Sequence, residues 1–271
     1  MTRKAALYAL LTAGALAMTF PFVWMISTAL KSEAEALLGG LELFPERLMW
    51  SNFVVMFQEA PQFATYFYNS FVVAFAVTAS VIVTSMFAGY TFARLDFPGR
   101  GLLFSLVLAT MMVPFEVTLI PNFMLINALH WKDTYAALIV PWCANAFSIF
   151  LMRQAFLGLP ADFFDAAKVD GCGHLRFLVW IATPLVKPVA VTVGLFAFLG
   201  SYNSLMWPLV VTDRDEMRVV QVGLTLFSSD EGVRLHLLMC AATVVILPTL
   251  GLYFAAQRYF LESAISAGIK G

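Results

Sequence analysis

The chain has 271 residues, 61% of them hydrophobic and 12% charged, with a formal net charge of −1 at pH 7. Soluble domains are about a quarter charged, so this composition excludes an ordinary water-exposed globule and makes a bilayer the natural solvent. A net charge this close to zero says nothing about nucleic acid, which is not expected as a partner, and the distribution of charge matters more.

The first apolar run follows Thr2-Arg3-Lys4 and, as far as Ala15-Leu16-Ala17, can pass for a cleavable signal. It continues through Phe20, Phe22, Val23, Trp24 and Ile26 to Leu30, which is too long for a signal core. A bilayer takes about 20 apolar residues, so the run is read as a retained first helix. The predicted spans are Ala5–Leu30, Asn69–Ala93, Gly101–Pro121, Thr134–Met152, Pro184–Pro208 and His236–Arg258. None alternates at the period of a membrane barrel, so all are predicted as helices. The expected fold class is an all-α integral membrane protein with six transmembrane helices. Residues 1–68 would hold the first helix and an outward-facing interfacial segment, and 69–271 the five-helix remainder.

Lysine and arginine set the orientation. With the N-terminus inside, only Lys31, Arg47, Lys132, Arg214, Arg218 and Arg234 fall outside, of 16 such residues in all. Both termini and the segment 159–184 are thereby expected in the cytoplasm. The outer stretch Lys31–Tyr68 carries Trp50, Phe53, Phe57 and Phe63, aromatics suited to the headgroup level, and is predicted to hold an interfacial helix.

Between the second and third spans, Arg94-Leu95-Asp96-Phe97-Pro98-Gly99-Arg100 reads as a tight turn pinned among headgroups. The third span sets Glu116 inside an apolar run between Pro114 and Pro121. The prolines predict a broken or kinked helix with freed carbonyls. At about 1.5 Å per residue, Glu116 would lie roughly 22 Å from Gly101, toward the outer end. Glu116 either borders a solute path or bonds a neighbouring helix, and both readings stay open. The same holds for Asn145 in the fourth span, which also carries Ser148, and for Asn203 and Ser204 in the fifth. Each can meet solute hydroxyls or serve interhelical hydrogen bonding. Gly194 and Gly200 suit close helix packing, and Lys187 is expected to snorkel.

The longest polar interruption on the inner side is Leu159–Pro184, LPADFFDAAKVDGCGHLRFLVWIATP. Pro160 suits a first helical turn and Asp162 its positive end. Ala166 and Ala167 put little bulk on that helix, so a partner backbone can approach. Gly171 and Gly173 end it, and a second short helix, His174–Ile181, precedes Pro184. The segment is predicted as helix, glycine turn, helix at the membrane surface.

Cys143, Cys172 and Cys240 show no paired spacing, which suggests neither a disulfide framework nor a zinc site. There is no G-x-x-x-x-G-K-[ST] to cradle ATP phosphates, no His-Glu-x-x-His and no Gly-x-Ser-x-Gly elbow. His130, His174 and His236 lie far apart. No enzyme chemistry and no metal ligation are expected.

The segment 159–184 resembles the cytoplasmic loop of permease subunits of binding-protein-dependent ABC importers, patterned Glu-Ala-Ala, three residues, Gly, nine residues, Ile-x-Leu-Pro. Asp165-Ala166-Ala167, Gly171, Ile181 and Pro184 stand at the same offsets, with Asp165 replacing Glu and Thr183 replacing Leu. The Arg94–Arg100 turn and Tyr202-Asn203-Ser204-Leu205-Met206-Trp207-Pro208 resemble the carbohydrate-uptake branch. Gln257-Arg258-Tyr259-Phe260-Leu261-Glu262 with Ala267-Gly268-Ile269-Lys270-Gly271 resembles the ending of the maltose- and glycerol-phosphate-type permeases.

Membership would imply that Asp165, Ala166, Ala167, Asp170, Gly171, Ile181 and Pro184 couple to a separate ATPase. Gln257, Arg258, Gly268 and Lys270 would belong to a tail reaching the same partner. It would also imply a second permease subunit, an ATPase homodimer that binds ATP and magnesium, an extracytoplasmic solute-binding protein and a sugar-like solute. This chain would hold no cofactor and would sit, multi-pass, in a prokaryotic cytoplasmic membrane among its lipids. The alternatives are an ATP-independent secondary transporter or a membrane scaffold. The first would show charged networks at mid-membrane or inverted repeats, and the sequence displays neither.

Overall fold

Uninterrupted apolar runs fold as long helices here, and prolines or polar residues break the others. The computed structural model describes residues 2–38, 42–229 and 232–268, with side chains over 3–38, 42–228 and 233–257. In chain order the helices are α1 (Thr2–Ala29), α2 (Glu33–Leu37), α3 (Ser51–Glu59), α4 (Phe63–Arg94), α5 (Arg100–Ala109), α6 (Phe115–Ala128) and α7 (Tyr135–Ile139). They continue with α8 (Ala146–Leu157), α9 (Ala161–Val169), α10 (His174–Phe177), α11 (Thr183–Leu185), α12 (Lys187–Tyr202), α13 (Met206–Val211), α14 (Val220–Gly223) and α15 (Leu235–Gly268). A two-residue antiparallel pairing of Ser228–Ser229 with Gly232–Val233 is the extended structure among the described residues.

α1, α4 and α15 have 28, 32 and 34 residues. At about 1.5 Å per residue each exceeds the roughly 30 Å of a hydrocarbon core. Three further spans arise if each bent helix pair is counted as one, giving up to six. The chain is thus an all-helical membrane protein.

The break foreseen at Pro114 is present, Pro121 lies inside α6 without ending it, and the other two bent pairs were not foreseen. The predicted span Gly101–Pro121 is not one rod, because the helix stops at Met112 and resumes at Phe115 after a 100° bend. Val113 is extended at φ −85° and ψ 114°, the conformation forced on a residue before proline. A straight-helix distance from Gly101 to Glu116 therefore has no meaning. In the fourth span, Tyr135–Trp142 and Ala146–Leu157 meet at 43°. Its freed Cys143 carbonyl accepts from Thr84 Oγ1 at 2.8 Å, and Asn145 caps α8 by accepting from the Ser148 N–H at 2.9 Å. The fifth span begins at Lys187, not Pro184, after an 84° turn from His174–Leu185. It ends at Tyr202, with Asn203 as C-cap, and α13 restarts at Met206.

The chain forms two compact units, Met1–Ala64 with Val220–Leu250 and Thr65–Val219 with Gly251–Gly271. In the first, Asn52 Nδ2 donates to the carbonyls of Ala29 (2.9 Å) and Lys31 (2.8 Å), closing the C-terminus of α1. Cys240 Sγ reaches the same Ala29 carbonyl at 3.2 Å. Ser32 and Glu35 form a capping box on α2, and Arg234 pairs with Glu59.

In the second unit the N-terminal end of α4 is tied to two loops. Asn69 Nδ2 donates to the carbonyls of Glu216 (2.8 Å) and Arg218 (2.9 Å), and its Oδ1 accepts from Tyr135 Oη at 2.6 Å. Tyr66 Oη donates to Asp215 Oδ1 at 2.7 Å. Asp133, at φ +56° in the left-handed region that aspartate tolerates better than most residues, accepts from the N–H groups of Asp213 (2.7 Å) and Arg214 (2.9 Å). Lys132 Nζ donates to Asp213 Oδ2 at 2.5 Å, which holds its ammonium above the ordinary lysine value.

Candidate functional site

Two features of the second unit concern function. The first is the segment 159–184. Arg94 covers the C-terminal end of α8: its guanidinium donates to Phe156 O (2.8 Å), which also accepts from the Leu159 N–H (3.3 Å), and to Leu159 O (2.6 Å). α9 then starts after Pro160, with Asp162 in its first turn and Lys168 in its last, charges that complement the helix dipole. It ends in a Schellman arrangement. The Cys172 N–H reaches Ala167 O at 2.9 Å, the Gly171 N–H reaches Lys168 O at 3.1 Å, and Gly171 sits at φ +72°.

Asp165, Ala166 and Asp170 are exposed, Ile181 is half-buried and Pro184 is exposed. Ala167 packs inward at 6% exposure, so only Ala166 of the predicted pair offers a bare surface. The second helix runs past the predicted Ile181 to Leu185, with a π-helical turn at Leu178–Ala182 and Thr183 Oγ1 bonded to Leu178 O at 2.7 Å. The segment leaves Val169 88% and Trp180 76% exposed, apolar groups with nothing over them among the described residues.

The second feature is a cavity of about 480 Å³ in the same unit. Chain breaks supply much of its wall. Phe115 comes from the α5–α6 break, Trp142, Ala144 and Asn145 from the α7–α8 break, and Ser204 and Trp207 from the α12–α13 break. Non-helical backbone at membrane depth is tolerated where it lines such a space. Ser70, Val73, Val77 and Val81 form a stripe contributed by α4.

Aromatic rings make the cavity's frame. Trp142 lies 5.5 Å from Phe115 and 6.1 Å, edge to face, from Trp207, while Phe147 and Phe196 meet at 6.1 Å. The Trp207 indole N–H is satisfied by Ala137 O at 2.9 Å. Polar groups are few: Asn145, Ser148, Ser201, Ser204 and Ser70. None of the lining residues is ionisable.

Of the predicted path residues, Asn145 and Ser204 share this cavity, whereas Glu116 and Asn203 are not on its wall. Glu116 stands exposed in the first turn of α6, where the helix dipole favours an acid. Gly194 does serve packing, since a Cβ there would meet Ile82 Cδ1 at 3.0 Å. Gly200 does not: a Cβ would meet nothing within 4 Å, and the residue lines the cavity. Trp142, Phe115, Phe147 and Phe196 were not singled out, because an aromatic in an apolar run carries no mark of facing a cavity. Tyr90 gave no such signal either, and Arg94, expected among lipid headgroups, turns instead to the Phe156 and Leu159 carbonyls far along the chain. Of the predicted tail contacts, Gln257 is exposed and Gly268 ends α15, while Lys270 and the Arg258 side chain lie outside the described residues.

Comparison with known proteins follows from this geometry. Residues 81–263 match the family described as binding-protein-dependent transport system inner membrane component. The chain is 34% identical over 254 residues to the arabinooligosaccharides transport system permease protein AraQ of Bacillus subtilis, covering 93% of this chain and 90% of that one. It is 28% identical over 267 residues to the sn-glycerol-3-phosphate transport system permease protein UgpE of Yersinia enterocolitica, covering 96% and 95%. Its fold matches a chain of a bacterial ABC transporter involved in the import of the acidic polysaccharide alginate, with a TM-score of 0.84, 22% identity and 96% of both chains covered.

Proposed function

The chain belongs to the binding-protein-dependent transport system inner membrane component family, and from that premise we propose that it forms half of the translocation path of an ATP-driven importer for a sugar or related polyol-type solute. The observation that carries this is the cavity of about 480 Å³, walled by aromatic rings and edged by serine and asparagine groups. Apolar rings with a few placed polar groups suit saccharides, which present C–H faces and hydroxyl edges, and the volume lies within the range of small-molecule pockets. Asn145 Oδ1 is occupied by the Ser148 N–H and hydroxyl, which leaves its Nδ2 to donate to a solute hydroxyl.

The absence of an ionisable lining group favours an uncharged cargo. An anion carried into an apolar site without a counter-charge loses several kcal/mol of solvation. The relatives named for arabino-oligosaccharides therefore suit this cavity better than those named for a phosphate ester.

The remaining parts follow from the family. A second permease would supply the other wall, an ATPase pair would bind ATP and magnesium, and an external binding protein would deliver solute. In this reading 159–184 and both termini face the cytoplasm of a prokaryotic cell. The ATPase would seat on α9 around Asp165, Ala166, Asp170 and Gly171, covering the bare Val169 and Trp180. The test is uptake of radiolabelled arabinobiose, xylobiose and maltose, with galactose 6-phosphate and digalacturonate as anionic counterparts. Host cells expressing the whole transporter are compared with cells lacking this chain. ATP-dependent uptake of a neutral member, lost with the chain, is expected. Uptake of the anionic members alone, or uptake that persists after ATP depletion, contradicts the reading.

A further inference from the structure

α4 runs past both features, and its last turns hold the segment 159–184 at two places. Tyr90 and Arg94 stand four residues apart, on one face of the helix. Arg94 covers the carbonyls of Phe156 and Leu159, fixing the point where the segment leaves α8. Tyr90 Oη and His174 Nδ1 are 3.0 Å apart, a hydrogen bond that reaches the start of the segment's second helix. Tyr90 is 3% exposed, so its hydroxyl depends on that bond.

The first helix is tied to the same place by stacking. Phe164 of α9 lies 5.5 Å from the His174 ring and 5.3 Å, edge on, from Phe177, while the Tyr90 ring meets Phe177 at 6.2 Å and Phe156 at 5.6 Å. A displaced α9 therefore presses on a cluster in which Tyr90 supplies the hydrogen bond to α4. At the residue before Tyr90, α4 and α8 touch so closely that a Cβ on Gly89 would lie 2.8 Å from Met152 Cβ and 2.9 Å from the Arg153 backbone nitrogen. The same unbroken helix carries the cavity stripe through Val77 and Val81.

We propose that Tyr90 and Arg94 are positioning residues that clamp the segment 159–184 to α4 and make this helix a rod between the ATPase seat and the solute cavity. The proposal rests on the reading of 159–184 as that seat. Coupling between two sites needs an element whose states both sites bias. α8 and α12 also run unbroken from the cavity to the two ends of the segment, to which the chain itself joins them, whereas α4 is held to the segment by side-chain contacts alone. Arg94 fixes the segment's root and Tyr90, through His174, its middle, so motion of α9 passes on as tilt of α4.

The whole transporter is tested in membranes, with Cys143, Cys172 and Cys240 replaced by alanine and a nitroxide on Val77→Cys. The signal at position 77 is followed on trapping with MgATP and vanadate. The trapped state should shift it in the otherwise unaltered chain. Tyr90→Phe, which keeps the ring and loses one hydrogen bond, should reduce the shifted population about threefold to tenfold. His174→Leu should do the same, and the double variant should be no worse than either, the mark of one shared contact. Arg94→Lys should lower it independently. A full shift in Tyr90→Phe, or additive losses in the double variant, overturns the clamp. So does a shift that is unchanged per assembled complex while less complex forms, since a merely structural residue behaves that way. If no ATPase co-purifies with the unaltered chain, the reading of the seat fails, and the clamp with it.

Discussion

The two ends of α4 are held in different ways. At its N-terminal end, Tyr66 and Asn69 bond to residues 215–218, Asn69 also takes the Tyr135 hydroxyl, and Asp133 closes onto Asp213 and Arg214. These bonds join stretches from three parts of the chain, and Asn69 is nearly inaccessible at 1% exposure. At the C-terminal end, the segment 159–184 is hung from Arg94 and Tyr90; its first helix buries only Ala167, and its second buries Phe177, Leu178 and Ala182. One end is cross-linked by mutually supporting bonds. The other meets its helix through a few separable ones and exposes apolar side chains. The contrast fits an anchored frame and a movable arm: substitutions in the frame should cost stability, and those in the arm should cost coupling.

Asn69→Leu should break the frame most. It leaves two backbone carbonyls and the Tyr135 hydroxyl without a partner, and each such group costs about 1–3 kcal/mol. Thermal unfolding of the purified chain in detergent should move down by many degrees, with little folded material recovered. Asp133→Ala should follow, because two N–H groups lose their acceptor and alanine tolerates φ +56° less well; about 1–3 kcal/mol is expected in the same measurement.

In the arm, Gly171→Ala forces a methyl into the left-handed region at about 1–2 kcal/mol, though it meets no neighbour within 4 Å. The expected result is a smaller fall in melting point than Asp133→Ala gives, because the turn can reshape without disturbing the bundle, together with reduced ATP-driven uptake. A fall in melting point equal to that of Asp133→Ala would erase the distinction between the ends.

The smallest effect belongs to Lys132 and Asp213, an exposed pair that solvent screens. Its sign is fixed: the folded-state value of Lys132 is raised, so the contribution is present at neutral pH and disappears as pH rises through that raised value. Lys132→Met should leave the melting point at pH 7 unchanged within error and should flatten any fall at strongly alkaline pH.

Much of this architecture was legible from the chain. Apolar length announced α1, α4 and α15, and the offsets from Asp165 to Pro184 marked the arm, whose glycine turn adopts the left-handed conformation foreseen for Gly171. Pro114 announced the break before α6, although its 100° angle depends on neighbours that no local pattern encodes. Of the polar path candidates, Asn145 and Ser204 reach the cavity because both sit at chain breaks, while Asn203 turns its backbone into a helix cap and Glu116 stands at a helix start. Of the aromatic frame, Phe115, Trp142, Phe147 and Phe196 stayed hidden among 26 phenylalanines and 6 tryptophans. The Tyr90–His174 contact joins residues 84 positions apart, and only the tertiary fold brings them together.

The most direct measurement places a photo-crosslinking amino acid at Ala166, on the bare face of α9, and another at Arg214, at the opposite end of α4, in cells making the whole transporter. The account predicts an ultraviolet-dependent adduct with an ATP-hydrolysing subunit from position 166, dependent on assembly, and none with that subunit from position 214. An adduct from 214 but not from 166 would place the motor at the wrong end and contradict it.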